Sequence, residues 1–336
     1  MPDRRPEPVA LAVRAWLGEH LSRDEPVIVA CSGGADSLAL ALAVRAAVDA
    51  ADGSRRVAAA TVDHGLQVGS AQRAQSTAEL LERIGYGDIA VLTVAVEGSG
   101  GMEAAARRTR YAALAAHARS VFGSGHGPLP GAVLVGHTGD DQAETVLLGL
   151  GRGSGPRSIA GMRPWRPPWG RPLLTVTRAD TENACRAAGL SPWQDPHNAD
   201  PAFTRVRLRR EVLPLLEDVL GGGVRAALSR TADLMAEDLD ALAEIAVGAR
   251  ARVCDADGAL DIALLRGYPA AIRGRVLRSW ASAGGAGPLT FEHLTRMGDA
   301  VSDPKGPAQV RIPGGLDVVR TGNTLRLRHI CPASEH

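Results

Sequence analysis

The chain has 336 residues, with 38 Lys and Arg against 37 Asp and Glu, and 45 % apolar and 22 % charged residues. This excludes a disordered, collagen-like or coiled-coil chain, and the near-neutral balance gives no global argument for nucleic acid. No apolar run of about 18 residues is present to span a membrane, and the N-terminal MPDRRPEPVA has no apolar signal core, so a cytoplasmic location is expected.

At about 100–200 residues per domain the length indicates two or three domains. Short apolar runs alternate with helical stretches through the first half. Val27–Cys31, Val57–Val62, Ile89–Val96 and Ala132–Val135 read as strands, and Leu38–Val48, Ala71–Ile84, Met102–Val121 and Asp140–Leu150 read as helices. Nearly continuous apolar strands separated by helices predict a parallel sheet covered on both faces, a doubly wound α/β domain. Its ligands are expected beyond the carboxyl ends of the strands.

Gly151–Pro172, rich in Gly and Pro, reads as a long ordered loop or lid. Helical segments follow near Thr181–Ala188 and Arg207–Leu220. Gly221–Gly223 then reads as a linker, dividing an α/β domain over 1–220 from a smaller, mainly helical domain over 224–336. In the latter, Val224–Ala251 and Leu264–Ala283 read as amphipathic helices. QVRIP and TLRLR, around Gly314-Gly315, read as a β-like hairpin.

Three segments carry chemistry. SGGADS, Ser32–Ser37, follows the first strand and opens a helix. Gly33 and Gly34 let the backbone turn tightly and approach a ligand closely. The helix N-terminus offers free N–H groups to phosphate, and Ser32 and Ser37 add hydroxyls. The segment has no lysine and is not a Walker loop; a plain N-cap with Asp36 complementing the dipole is the alternative. VDHGLQ ends the second strand and places Asp63 and His64 at the ligand edge, with His64 either against a base or ribose or simply solvated.

GHTGDDQAET, Gly136–Thr145, is the most specific. Asp141 and Glu144 are three apart and share a helical face. Facing a phosphate loop that has no cationic side chain, they are expected to hold Mg²⁺ or a cationic substrate. Arg152, between glycines, reads as a mobile phosphate clamp or a plain loop residue. Basic stretches flank the acidic helix: Thr145–Arg210 has eleven arginines and four acids, and Ala104–Gly139 has four arginines and no acid. That pattern suits a polyanion led to an acidic centre. Arg205, Arg207, Arg209 and Arg210 cluster at a helix start and read as a solvated face or a grip on that polyanion. Lys305 is the only lysine, so phosphate contacts fall to guanidinium groups.

SGGADS resembles the pyrophosphate loop of the N-type ATP pyrophosphatases. With VDHGLQ, EAAARRTRY (Glu103–Tyr111), GHTGDDQAET, RGSGPRSIAGM (Arg152–Met162), RPLL (Arg171–Leu174) and DPHNADPAFTRVRLRREVLP (Asp195–Pro214) in this order, the chain resembles the short form of the tRNA(Ile)-lysidine synthase family over Val27–Pro214. The resemblance implies that ATP adenylates the wobble cytidine of a CAU-anticodon tRNA(Ile) and that free L-lysine then displaces AMP. It implies that Ser32, Gly33, Gly34, Ala35, Asp36 and Ser37 hold phosphates. Asp63 and His64 would lie against the nucleotide, with Arg110 and Arg152 at the α-phosphate. Asp36, Asp141 and Glu144 would be shared between Mg²⁺ and the lysine cation, and the C-terminal domain would recognise tRNA. His197 and Val206 depart from the family pattern. The alternatives are another tRNA-modifying ligase or thiolase of the superfamily, or a non-catalytic ATP-binding module. A thiolase is disfavoured because Cys31, Cys185, Cys254 and Cys331 form no CxxC pair.

Overall fold

The computed structural model describes residues 7–51, 54–65, 67, 69–96, 102–123, 131–153, 155–195 and 200–330, with the backbone alone at 102–104. Cys331 and His197 lie outside them, as does the side chain of Glu103. The chain divides into two compact units, Met1–Ala236 and Glu237–His336.

The first unit is built on a six-stranded sheet of order β3-β2-β1-β4-β6-β5. Its strands are β1 (Val27–Ala30), β2 (Val57–Asp63), β3 (Ile89–Thr93), β4 (Ala132–Val135), β5 (Trp165–Arg166) and β6 (Trp169–Gly170). All pairings are parallel except β5 with β6. The apolar runs are continuous because both faces are covered. Val27 and Val29 of β1 pack with α1 (Pro8–His20), α2 (Ala35–Ala50) and Cys185 of α7 (Arg178–Ala187). Ile28, Ala58, Ala60 and Val133 point the other way, onto Leu114 and Ala118 of α4 (Met102–Phe122). Each fully buried Leu or Ile here contributes about 1.5–3 kcal/mol.

This confirms the doubly wound parallel sheet. Helix α1 was not evident from the charged, Pro-rich start, although Val9, Val13, Trp16 and Leu17 form its buried stripe. The Gly/Pro-rich segment is more structured than a loop: it holds α6 (Pro156–Ile159) and the β5–β6 hairpin. Gly170 is required there, because a Cβ would sit 2.4 Å from the Trp16 ring. The Trp16 indole in turn donates to the carbonyl of Pro164 at 3.1 Å.

The strand order reverses at β1, between β2 and β4. Helix α3 (Ser70–Ile84) follows β2, and α5 (Gly139–Gly151) follows β4. The crevice at such a reversal, beyond the carboxyl ends of β1 and β4, is where ligands bind in this architecture. SGGADS leaves β1 and GHTGDD leaves β4, so both reach that crevice. Gly136 permits the approach, since a Cβ on it would stand 2.8 Å from the carbonyl oxygen of Asp36. After α7 come α8 (Thr204–Arg207), a π-helical turn (Leu208–Val212) and α9 (Leu213–Val219). Gly221–Gly223, all with positive φ, join α9 to α10 (Val224–Val253), and the division between the units falls within α10.

The second unit has a core of its own around Leu260, Leu277, Trp280 and Met297. An antiparallel sheet of order β7-β10-β9-β8 packs with α11 (Ile262–Arg266), α12 (Ala270–Ala283) and α13 (Phe291–Ser302). QVRI is β8 (Gln309–Ile312) and TLRLR lies in β10 (Thr324–His329), but they do not pair with each other. Each pairs with β9 (Leu316–Thr321), and β10 pairs also with β7 (Leu260–Asp261). The helix expected over Leu264–Ala283 is broken between α11 and α12, where Gly267 caps α11 and Pro269 precedes α12. Among the described residues, no helix is long and apolar enough to cross a membrane.

Candidate active site

The phosphate loop is held by its own hydroxyls. Ser37, nearly buried, accepts the Ser32 N–H at 3.1 Å and donates to the Gly34 carbonyl at 3.0 Å. It therefore braces the loop rather than offering a free donor, while Ser32 is exposed. Gly33 has φ +80°, and a Cβ there would lie 2.7 Å from Thr77 Oγ1. At Gly34 a Cβ would meet only Ser32 Oγ, at 3.7 Å. Folding thus demands the first glycine, whereas the space beside the second is free for a ligand at the start of α2, with Ala35 as its first residue.

The carboxylates converge on three arginines. Asp36 accepts from Thr181 Oγ1 at 2.5 Å and meets Arg178 at 3.2 Å. Asp141 spends one oxygen on the Thr138 N–H at 3.0 Å, closing a capping box. Its other oxygen lies 3.6 Å from Arg178 and 3.4 Å from Arg209. Glu144, fully buried, takes Arg209 Nε at 2.6 Å and Arg205 at 3.5 Å. Beside them, Asp140 meets Arg225 at 3.0 Å and accepts the Arg178 N–H at 2.9 Å. Burial raises the pKa of Asp36, opposed by Arg178, and burial likewise raises that of Glu144, opposed by Arg209.

The expectation that this acidic face lacks a protein cation is therefore corrected. The sequence-distant Arg178, Arg205 and Arg209 balance it. The cluster at 205–210 is likewise not one outward face. Arg205 of α8 and Arg209 of the π-helical turn reach inward to the carboxylates, whereas Arg207, paired with Glu211 at 3.0 Å, and Arg210 are exposed. Reasoning along the chain missed Arg178 and Thr181. One signal was present: Arg178 is the first residue of α7, where a cation opposes the helix dipole unless an acid faces it.

Asp63 accepts the Gly65 N–H at 3.0 Å, which holds its carboxyl below the usual range. His64 has a buried Nδ1 without a partner, and burial with nearby Arg110 lowers its pKa. Arg152 is exposed at the far end of α5, about 12 Å along the helix from Glu144 and about 17 Å from Asp141. The structure does not bring it to the cluster.

ATP chemistry implies Mg²⁺. Asp36 and Asp141 fit it, because both reach the same guanidinium and so converge on one cation position. Mg²⁺ at nucleotide sites takes one or two carboxylates and completes its shell with phosphate and water. Among the described residues no group of three acid, His or Cys side chains forms a cage of its own. Both oxygens of Glu144 are engaged by arginines, so it fits a cation-binding wall better than a metal ligand.

A glycine phosphate loop at the β1 end, facing an acidic helix start at the β4 end, defines an ATP-binding protein of the PP-loop class. The family model described as the PP-loop domain matches residues 10–216, and the TilS substrate binding domain matches 260–326. Curated relatives of the chain carry the name tRNA(Ile)-lysidine synthase. That of Rhodococcus opacus (strain B4) is 52 % identical over 92 % of this chain and 90 % of its own. That of Nocardia farcinica (strain IFM 10152) is 50 % identical over 92 % of each. That of Mycobacterium tuberculosis (strain ATCC 25618 / H37Rv) is 49 % identical over 94 % of this chain and 90 % of its own. The chain belongs to the tRNA(Ile)-lysidine synthase family. Among solved structures, the U34-tRNA thiolase NcsA from Methanococcus maripaludis with its [4Fe-4S] cluster has the same fold, with a TM-score of 0.55 at 15 % identity, over 68 % of this chain and 78 % of that one.

Proposed function

We infer that this chain is an ATP-dependent ligase that attaches free L-lysine to the 2-carbon of the wobble cytidine in CAU-anticodon tRNA(Ile). The cytidine 2-oxygen attacks the α-phosphorus of ATP, and pyrophosphate leaves. The lysine side-chain amine then attacks the 2-carbon, the adenylated oxygen departs with AMP, and the amine loses a proton. The observation that carries this reading is the pairing of the phosphate loop with the acidic helix across one crevice. A non-catalytic ATP-binding module has no use for buried carboxylates there.

The loop from Ser32 to Ser37 holds the leaving pyrophosphate through the N–H groups that open α2. Asp36 and Asp141 hold Mg²⁺, which supplies charge neutralisation at the phosphates. Asp141 and Glu144 receive the lysine ammonium, for which an arginine must yield, since a second cation does not fit beside it unopposed. Arg110 stabilises charge at the α-phosphate, and Asp63 and His64 lie against the nucleotide. The C-terminal unit binds tRNA. The reaction belongs where tRNA, ATP and lysine meet, in the cytoplasm.

Incubation with ATP, radiolabelled lysine and total tRNA tests the reading. Label is expected in one tRNA species, with AMP and pyrophosphate released in step. Label in no tRNA, or ATP cleavage indifferent to lysine, overturns it.

A further inference from the structure

Helix α4 carries one stripe from the core to the ligand edge. Ala118 and Leu114 are buried against the sheet. Tyr111, Arg110 and Arg107 continue the same face by steps of three and four residues. Tyr111 meets Trp169 of β6 edge-on, with ring centroids 4.4 Å apart. Arg107 donates to the Tyr111 hydroxyl at 3.3 Å, and its guanidinium lies 5.1 Å from the ring centre. Arg171, buried two residues beyond Trp169, donates to the Arg163 carbonyl at 3.1 Å and keeps a buried Nε without a partner. The Nδ1 of His137, at the end of β4, is also buried and unpartnered.

This side differs from the carboxylate side in its charge. Among the described residues no carboxylate pairs with Arg107, Arg110, Arg166 or Arg171. Burial, then Arg107 and Arg171, push the pKa of His137 well down, and burial lowers that of Arg171. Cations gathered with no counter-ion among the described residues repel one another, and an arriving anion offsets that repulsion. The phosphate loop of α2 already serves the nucleotide. An aromatic pair among guanidinium groups suits a strand that carries both phosphates and bases.

Arg166 of β5 lies opposite Trp169 in the hairpin register, and its charge acts on Arg171. We propose that Arg107, Arg166 and Arg171, braced by the Tyr111–Trp169 pair, grip a phosphodiester of the RNA strand beside the reacting nucleotide. The proposal rests on the reading of the chain as an RNA-modifying ligase. It is tested on the full chain without ATP or lysine, by equilibrium binding of an RNA stem–loop bearing a single-stranded cytidine over a salt series. In the double variant Arg107→Ala, Arg166→Ala, at two exposed positions, the slope of log affinity against log salt is expected to fall by about 0.7 per lost contact. ATP affinity is expected to stay unchanged. The double variant Arg107→Lys, Arg166→Lys is expected to restore most of the slope, which a loss of fold in the alanine variant does not mimic. An unchanged slope in the alanine variant overturns the proposal. So does weakened ATP binding with RNA binding intact, which makes the cluster part of the nucleotide site. Failure of the wild type to bind the RNA overturns the ligase reading together with the proposal.

Discussion

The two sides of the crevice are charged in opposite ways and compensated to different degrees. On the α5 side, Asp36, Asp141 and Glu144 face Arg178, Arg205 and Arg209 across distances of 2.6–3.6 Å. On the α4 side, the guanidinium groups around His137 face no acid among the described residues. Buried charge is tolerated when it is paired. The paired side is therefore complete in the free protein, and its ligands must displace or share existing partners. The other side, with no counter-ion among the described residues, is the one we propose a ligand completes.

The sharpest way to break this comparison is to neutralise the paired side. Asp141→Asn and Glu144→Gln are each expected to lower lysidine formation by at least about 100-fold, the scale of one preorganised electrostatic contact. RNA affinity is expected to stay within a few-fold, measured by filter binding. Glu144→Gln also strips Arg209 of its buried partner, and a loss of about 3 kcal/mol in denaturant unfolding is expected. Full activity in both variants would reduce the acids to helix-start residues.

Removing Arg178 sharpens the comparison through pH. The folded-state pKa of Asp36 lies above its ordinary value because of burial, with Arg178 opposing the rise. For a carboxylate raised in this way, the stabilising proton is bound below the unfolded pKa of about 3.9 and is lost as pH rises through the folded pKa. Arg178→Ala lifts that folded pKa further. Its destabilisation relative to wild type is therefore expected to be larger at pH 7 than at pH 4 in thermal unfolding. Equal losses at both pH values would mean that Arg178 acts by packing alone.

The glycines separate folding from binding within one loop. Gly33→Ala forces a side chain into a left-handed conformation against Thr77 and is expected to cost about 1–3 kcal/mol of stability. Gly34→Ala is expected to leave thermal stability nearly unchanged and to weaken ATP binding. The smallest effect is expected at Arg207→Ala, whose exposed i, i+4 pair with Glu211 is screened by water, so that thermal stability should stay nearly unchanged. Activity should be retained, in contrast to Arg209→Ala two residues on.

The sequence by itself determined the doubly wound sheet, because an apolar strand buried on two faces must be continuous, and Val27–Ala30 and Ala132–Val135 are. It also determined the phosphate loop and the shared face of Asp141 and Glu144, since both follow from local spacing. It did not determine what balances those acids. Arg178 and Arg209 lie dozens of residues from their partners, and nothing in their own neighbourhoods tells an ion-paired arginine from a solvated one. Nor did it separate Arg205 and Arg209, which turn inward, from Arg207, which stays outside. That depended on how α8 and the π-helical turn are set against α5. Charge compensation is a property of distance in space, and only the tertiary structure decided it.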